Sequence, residues 1–213
     1  MLKEINVGDI NWEKVHGMLP VIIQNNASCE VLMHGIMNQE AFLATKKSSY
    51  VTFFSRTKQR LWTKGEKSGN YLKVKHMILD CDQDALLILV NPKGNTCHLN
   101  NTSCFKLSIL PNFIFFYSLE NILKHKHLNF SKNSYTSSLH NMGINRVSQK
   151  VAEEAIETVI SAITKNRIEL VNEATDLIYH LLILLHHCNL DFFSIITNLK
   201  KRRHLKHNFK SAK

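Results

Sequence analysis

The hydrophobic period of this chain changes once, near residue 113, and that change constrains the fold more than any single motif. From Cys29 to about Phe105 the apolar residues come in short extended runs. Tyr50–Ser55, Tyr71–Leu79 and Ala85–Val90 read as strands, divided by turn chemistry at Lys67–Asn70 and Asn91–Gly94. One helix is expected over Asn38–Lys46, with Asn38 as N-cap and Glu40 in the first turn. After Pro111 apolar residues recur at three- and four-residue spacing. Helices are predicted over Ile114–Lys126, Gly143–Lys165, Ile168–His187 and Asp191–His204. The expectation is a multidomain α+β chain: a β-rich domain over 1–113, an all-α domain over 114–205 and a basic tail over 206–213.

The formal charge is +10, but residues 200–213 supply +7 of it. A nucleic-acid-binding face would spread its cations over a folded surface with aromatic platforms. A single terminal run reads instead as a solvated tail, so no nucleic-acid partner is expected. Met1–Asn6 is too polar for a secretory leader, and the five cysteines are an odd number. Together they point to a reducing, cytoplasmic setting, where cysteines serve metals or chemistry. The apolar stretch Leu177–Leu185 falls short of the roughly 20 residues that span a bilayer, so no membrane is expected.

Asp80-Cys81-Asp82-Gln83-Asp84 is the densest chemical signal of the first half. Three adjacent carboxylates repel one another unless a hard cation sits among them, and Mg²⁺ prefers such oxygens. The alternative is an exposed acidic turn. If the segment is extended, Asp80, Asp82 and Asp84 share one face and Cys81 takes the other. Cys97 and Cys104 flank a loop rich in Asn and Thr. With Cys81 they could give Zn²⁺ three thiolates and leave a fourth position for water, whose pKa zinc lowers toward ~7. His98 is a candidate proton carrier. With Cys81 on the far face, its union with Cys97 and Cys104 could come from a second subunit, which makes a homodimer a reasonable expectation. In residues 55–70, Arg56 and Lys64 suit phosphates and Gly65 and Gly69 admit backbone amides to a ligand. Trp62 and Ser68 complete a surface for a polyanionic, ring-bearing molecule, with a solvated turn as the alternative.

These residues resemble a known family. Ser55-Arg56, Leu61–Asn70, Asp80–Asp84, Cys97-His98 and Ser103–Phe105 are similar, in order and spacing, to phosphoribosyl-AMP cyclohydrolases of histidine biosynthesis. The likeness spans about residues 15–110, with Leu99-Asn100 where the family carries Thr-Gly. It implies Mg²⁺ on Asp80, Asp82 and Asp84. It also implies Zn²⁺ on Cys81, Cys97 and Cys104, with Cys81 contributed across a dimer interface.

In the second half, Glu153, Glu154 and Glu157 fall at about 0°, 100° and 40° around a helix of about 100° per residue. Glu173 and Asp176 follow on the next helix. Two antiparallel helices could bring the five carboxylates together around Mg²⁺. Acids on helices are usually solvated and paired with lysines. Here Val151, Ala152, Ala155, Ile156, Val159 and Ile160 surround them, which favours function. The EExxE and ExxD pattern resembles all-α nucleoside-triphosphate pyrophosphohydrolases. Gln149–Glu157 and Glu173–His180 look like the phosphoribosyl-ATP pyrophosphohydrolase branch, with Ala152 for a usual Gly and Thr175 for a usual Ala.

The two resemblances in this order imply a bifunctional hydrolase. Its helical domain would cleave phosphoribosyl-ATP to phosphoribosyl-AMP and pyrophosphate, with Glu154 central and Arg146 and Lys150 as phosphate contacts. Its β-rich domain would open the adenine ring of phosphoribosyl-AMP at the N1–C6 bond, with His98 moving a proton. Two rivals remain at this point: a basic nucleic-acid-binding module and a zinc nucleobase deaminase. The deaminase requires His-x-Glu and Pro-Cys-x-x-Cys, and the sequence contains neither.

Overall fold

The computed structural model describes residues 5–106, 111–128, 139 and 142–210. The chain divides into two compact units, Met1–Phe115 and Phe116–Lys213.

The first unit begins with a 3-10 turn at Val7–Asp9. Six strands follow: β1 (Leu19–Asn25), β2 (Val31–Met37), β3 (Thr52–Ser55), β4 (Arg60–Thr63), β5 (Leu72–Leu79) and β6 (Leu86–Pro92). Helix α1 (Gln39–Ser48) lies between β2 and β3. One sheet has the order β2-β1-β6-β5, with β1 and β6 parallel and the outer pairs antiparallel. β3 and β4 form a separate antiparallel hairpin. Period-2 alternation sends Leu19, Val21 and Ile23 from β1, and Leu86, Ile88 and Val90 from β6, into one core with Phe42, Phe53 and Leu72. Helix α1 starts as predicted, because the Asn38 side chain accepts the Ala41 N–H at 2.9 Å. A Cβ at Gly35 would meet the Phe53 ring at 2.4 Å, so the contact between β2 and β3 requires glycine.

Three expectations need correction here. β1 and β2 add to the three strands expected from the sequence, and residues 55–70 contain β4. That strand opens on Arg60 and is only four residues long. Its place is set by the cross-strand pairs Phe53–Trp62 and Phe54–Leu61. Residues 80–84 are not extended. Leu79 pairs with Leu86 in the β5–β6 hairpin, so the intervening chain must reverse. The reversal is closed by Asp80, whose Oδ1 accepts the N–H groups of Asp84 and Ala85 at 3.0 Å each. Gln83 takes a left-handed φ of 64°. The face-alternation argument for Cys81 therefore does not apply.

The second unit holds α2 (Asn112–Leu128), α3 (Gly143–Ile163), α4 (Arg167–His187) and α5 (Phe192–Lys210). A short connection makes α3 and α4 an antiparallel hairpin. Asn166 caps α4 by accepting the Glu169 N–H at 3.3 Å. Leu123, Leu139, Val147, Leu182 and Ile183 form the buried core, with Phe116 against Phe192 at 4.8 Å between ring centres. α5 runs six residues beyond the predicted His204, so part of the expected tail, 206–210, continues a helix. Among the described residues no helix is long and apolar enough to cross a membrane.

Candidate metal and substrate sites

The β5–β6 turn gathers one carboxylate oxygen each from Asp80, Asp82 and Asp84 within 4.8 Å of one another. Hairpin geometry does this, with a different backbone from the predicted strand. Lys14 reaches the group from before β1, its Nζ lying 2.5 Å from Asp82 Oδ2 and 2.7 Å from Asp84 Oδ2. That ammonium holds the Asp82 carboxyl below its ordinary range, and the two aspartates push Lys14 upward in turn. Sequence reasoning missed Lys14. A cation already seated between two of these carboxylates shows that the donor set accepts positive charge at this point.

The thiols divide into one plus two. Cys97 is buried on the loop after β6, where the Cys97 N–H donates to Asn101 O at 3.0 Å. Cys104 is fixed by its N–H donating to Leu32 O of β2 at 2.7 Å. Burial, and then the adjacent Cys97 thiol, push the Cys104 thiol up. Two thiols this close, one of them held protonated by burial and by its neighbour, suit a cation that would hold both as thiolates. His98 is exposed, and its Nδ1 lies 3.9 Å from Cys97 Sγ. Cys81 instead contacts Asp82, with its Sγ 3.9 Å from Oδ1. Among the described residues it does not join Cys97 and Cys104 in a three-ligand group.

A cavity of about 390 Å³ opens over the β3–β4 hairpin. Trp62, Lys64, Gly65 and Ser68 line it, together with Ser55, Lys58, Arg60, Glu66 and Lys67. Arg56 and Gly69 do not line it. Arg56 lies in the hairpin turn, where its carbonyl accepts the Gln59 side-chain amide at 2.6 Å. Arg60, missed by sequence reasoning, pairs with Glu66 at 2.8 Å and holds that carboxyl below its ordinary range. Gly65 adopts φ 96°, and a Cβ there would stand 2.6 Å from Asn70 C and Tyr71 N. Only glycine lets the loop close beside the cavity.

In the helical unit, oxygens of Glu154, Glu157 and Glu173 come within 4.8 Å of one another. The expected cluster of five is thus a cluster of three. Glu153 turns to two cations, 3.0 Å from Lys150 and 3.5 Å from Arg146, and Lys150 holds its carboxyl low. Asp176 lines a neighbouring cavity of about 440 Å³ with Lys150, Glu154, Tyr179 and His180. Lys150 and Arg146, predicted to contact phosphates, are engaged with these glutamates. Desolvation, and then the charges of Glu157 and Glu154, raise the Glu173 carboxyl. Such crowding is what a divalent cation would relieve. His180 is buried, with Nδ1 3.0 Å from Asp176 O, and burial lowers its pKa. The signal for Tyr179 and His180 was their position one turn after Asp176, facing the same way.

Comparison with known proteins follows the same division. The phosphoribosyl-AMP cyclohydrolase family matches residues 33–106, and the phosphoribosyl-ATP pyrophosphohydrolase family matches residues 116–203. The chain is 59% identical over 202 residues to the "Histidine biosynthesis bifunctional protein HisIE" of Buchnera aphidicola subsp. Baizongia pistaciae, covering 95% of this chain and 98% of that one. A protein of the same description from Haemophilus influenzae is 50% identical over 208 residues, 93% of this chain and 94% of the other. The corresponding Escherichia coli O157:H7 protein is 50% identical over 202 residues, with 95% and 99% covered.

Proposed function

The chain belongs to the family of bifunctional histidine-biosynthesis enzymes that join a phosphoribosyl-AMP cyclohydrolase to a phosphoribosyl-ATP pyrophosphohydrolase, and from that premise we propose which of its residues perform each hydrolysis. The helical unit releases pyrophosphate from phosphoribosyl-ATP, and the β-rich unit opens the adenine ring of the resulting phosphoribosyl-AMP. The supporting observation is that each unit gathers its own carboxylate trio within 4.8 Å. The family membership favours this over the nucleic-acid and deaminase alternatives.

Glu154, Glu157 and Glu173 are the ligands for Mg²⁺ in the helical unit, and Asp80, Asp82 and Asp84 in the other. Cys97 and Cys104 are thiolate ligands for Zn²⁺. When bound, these ions supply charge compensation to phosphate oxygens and, in the case of zinc, acidify a water. Lys150 orients the Glu154 carboxylate through its 2.7 Å contact. Asp176, Tyr179 and His180 shape the wall that receives the polyphosphate. In the β-rich unit, Lys58, Lys64 and Lys67 offer cations to phosphate, and the half-buried Trp62 offers a ring face, backed by Phe53 at 5.6 Å. The His98 imidazole moves a proton during ring opening.

The third zinc ligand is Cys81 of a second copy, since Cys81 stands apart from the other two thiols in its own chain. A homodimer also gives cover to Ile156, Val159, Ile160 and Ile163 of α3, which are 53–73% exposed in the single chain.

The test is to supply phosphoribosyl-ATP to purified protein and follow pyrophosphate and ring-opened product separately. Glu154→Ala stops the first product, while ring opening of added phosphoribosyl-AMP continues. Cys97→Ala stops only the second. A single substitution that removed both activities would overturn the two-site assignment.

A further inference from the structure

Lys14 is not on any strand or helix, yet its backbone is well fixed. The neighbouring Asn11 N–H donates to Gln83 O of the aspartate turn at 2.9 Å. Asn11 Oδ1 in turn accepts the Lys14 N–H at 3.1 Å. Trp12 holds the same stretch down, donating to Val7 O at 2.9 Å and packing edge-on against Phe42. None of these contacts involves the ammonium. The Lys14 side chain itself is 45% exposed, so its head can leave the aspartates without disturbing the backbone that carries it.

The ammonium and a divalent cation want the same atoms. Asp80 Oδ1 is committed to two backbone N–H groups of the turn. On Asp82 and Asp84, Lys14 Nζ already bridges one oxygen of each carboxylate, the two Oδ2 atoms. Mg²⁺ approaches carboxylate oxygens to about 2.1 Å. A dication at that distance from the Asp82 and Asp84 oxygens would sit almost in contact with Nζ, and the two positive charges would repel strongly.

We propose that Lys14 is an exchangeable counter-ion of the aspartate turn: it neutralises the carboxylates in the metal-free protein and is displaced as the divalent cation binds. The proposal rests on the assignment of Asp80, Asp82 and Asp84 as Mg²⁺ ligands. Its consequence is a trade between two properties. Lys14 keeps the acidic turn folded without metal, and for the same reason it weakens metal affinity. Metal occupancy of the ring-opening site therefore depends on competition with a built-in cation. By linkage, the stability lost from the metal-free protein on removing Lys14 reappears as tighter metal binding.

The experiment is Mg²⁺ titration by calorimetry, with thermal melting in Mg²⁺-free and Mg²⁺-saturated buffer. The full-length chain carries Glu157→Gln and Glu173→Gln so that the helical site is silent. Lys14→Met in this background is expected to bind Mg²⁺ about three- to tenfold tighter, the range that displacement of exposed ion pairs implies. It melts lower than its parent without Mg²⁺, and the gap closes at saturation. Lys14→Arg, which keeps the charge, stays near the parent in both readings. Equal affinities for parent and Lys14→Met, with the same melting gap in both buffers, would make Lys14 a static surface pair and overturn the exchange. Weaker binding in Lys14→Met would overturn it in the other direction, making Lys14 an organiser of the ligands. If the parent itself takes up no Mg²⁺, the metal assignment of the turn fails first, a result distinct from either.

Discussion

Lys150 Nζ lies 2.7 Å from Glu154 Oε1, and Glu154, one turn further along α3, is only 5% exposed. A nearly buried carboxylate is thus held in place by a cation on its own helix, at the edge of the glutamate trio. Lys150→Met leaves that carboxylate without its cation, a change that costs at least about 3 kcal/mol in a fully buried pair and less here, where Lys150 is 20% exposed. Pyrophosphate release is expected to fall about 10- to 100-fold in kcat/KM, while ring opening of supplied phosphoribosyl-AMP is unchanged. Lys150→Arg recovers part of the loss. Separate assays of the two products check this, and an equal loss in both steps would assign Lys150 a purely structural role.

Gly65 makes a second prediction, confined to the other unit. Its φ of 96° and the 2.6 Å approach of Asn70 C leave no room for a methyl group. Gly65→Ala is expected to destabilise the β-rich unit by about 2 kcal/mol, lowering its melting temperature by roughly 10 °C. Ring opening falls with it because Lys64 and Ser68 move with the loop, and pyrophosphate release persists. Melting followed by near-ultraviolet circular dichroism, with both assays run in parallel, decides the matter.

How far the sequence carries one depends on the range of the interaction. The 3.6-residue period located the four helices of the second unit that lie among the described residues, and Asn38 marked the start of α1, because both signals are local. The aspartates and glutamates were legible as clusters for the same reason. The role of Lys14 was not: it meets Asp82 across 68 residues of sequence. Nor was that of Glu120, which meets Phe192 across 72. β4 was hidden because a run of four residues is too short to display a period of two, and it is the pairing with β3 that fixes it. At 80–84 the alternation of the aspartates fits an extended segment, whereas the acidic turn that stood as the alternative fits the strand that follows at Ala85. The pairing of Leu79 with Leu86, which no local pattern displays, decides for the turn.

Glu120 leads to a pH-dependent prediction. It is 5% exposed, and its Oε1 accepts the Phe192 N–H at the start of α5 at 2.5 Å. Burial pushes its carboxyl above the ordinary 4.5 despite that hydrogen bond. A carboxyl raised in the folded state binds its proton more tightly there than in the unfolded chain. Its contribution to stability is therefore full below the ordinary value and declines as pH rises through the raised one. Glu120→Gln keeps a carbonyl acceptor for Phe192 but has no proton to lose. The difference between wild type and variant should move in favour of the variant from pH 4.5 upward, and level off once Glu120 is ionised. Urea denaturation at pH 4.5, 6 and 7.5 measures it, and a difference that stays constant across the three would remove Glu120 as the titrating group.

The separation of Cys81 from Cys97 and Cys104 yields the last prediction, which bears on the shared zinc site. If Cys81 completes the site of a partner, Cys81→Ser and Cys97→Ser proteins are each inactive in ring opening for complementary reasons. In a mixed dimer, the Cys81 of one chain meets the intact Cys97 and Cys104 of the other, so one of its two sites is whole and the other carries both defects. Random exchange makes half the dimers mixed, and the mixture should recover about a quarter of wild-type ring-opening activity. Zinc content should rise in proportion, from the single-variant level toward that quarter. Co-refolding or co-expression of the two variants, with activity and bound zinc measured together, provides the check. A mixture as inactive as its parents would show that the three thiols do not meet across subunits, and Cys81 would then have to reach the loop thiols within its own chain.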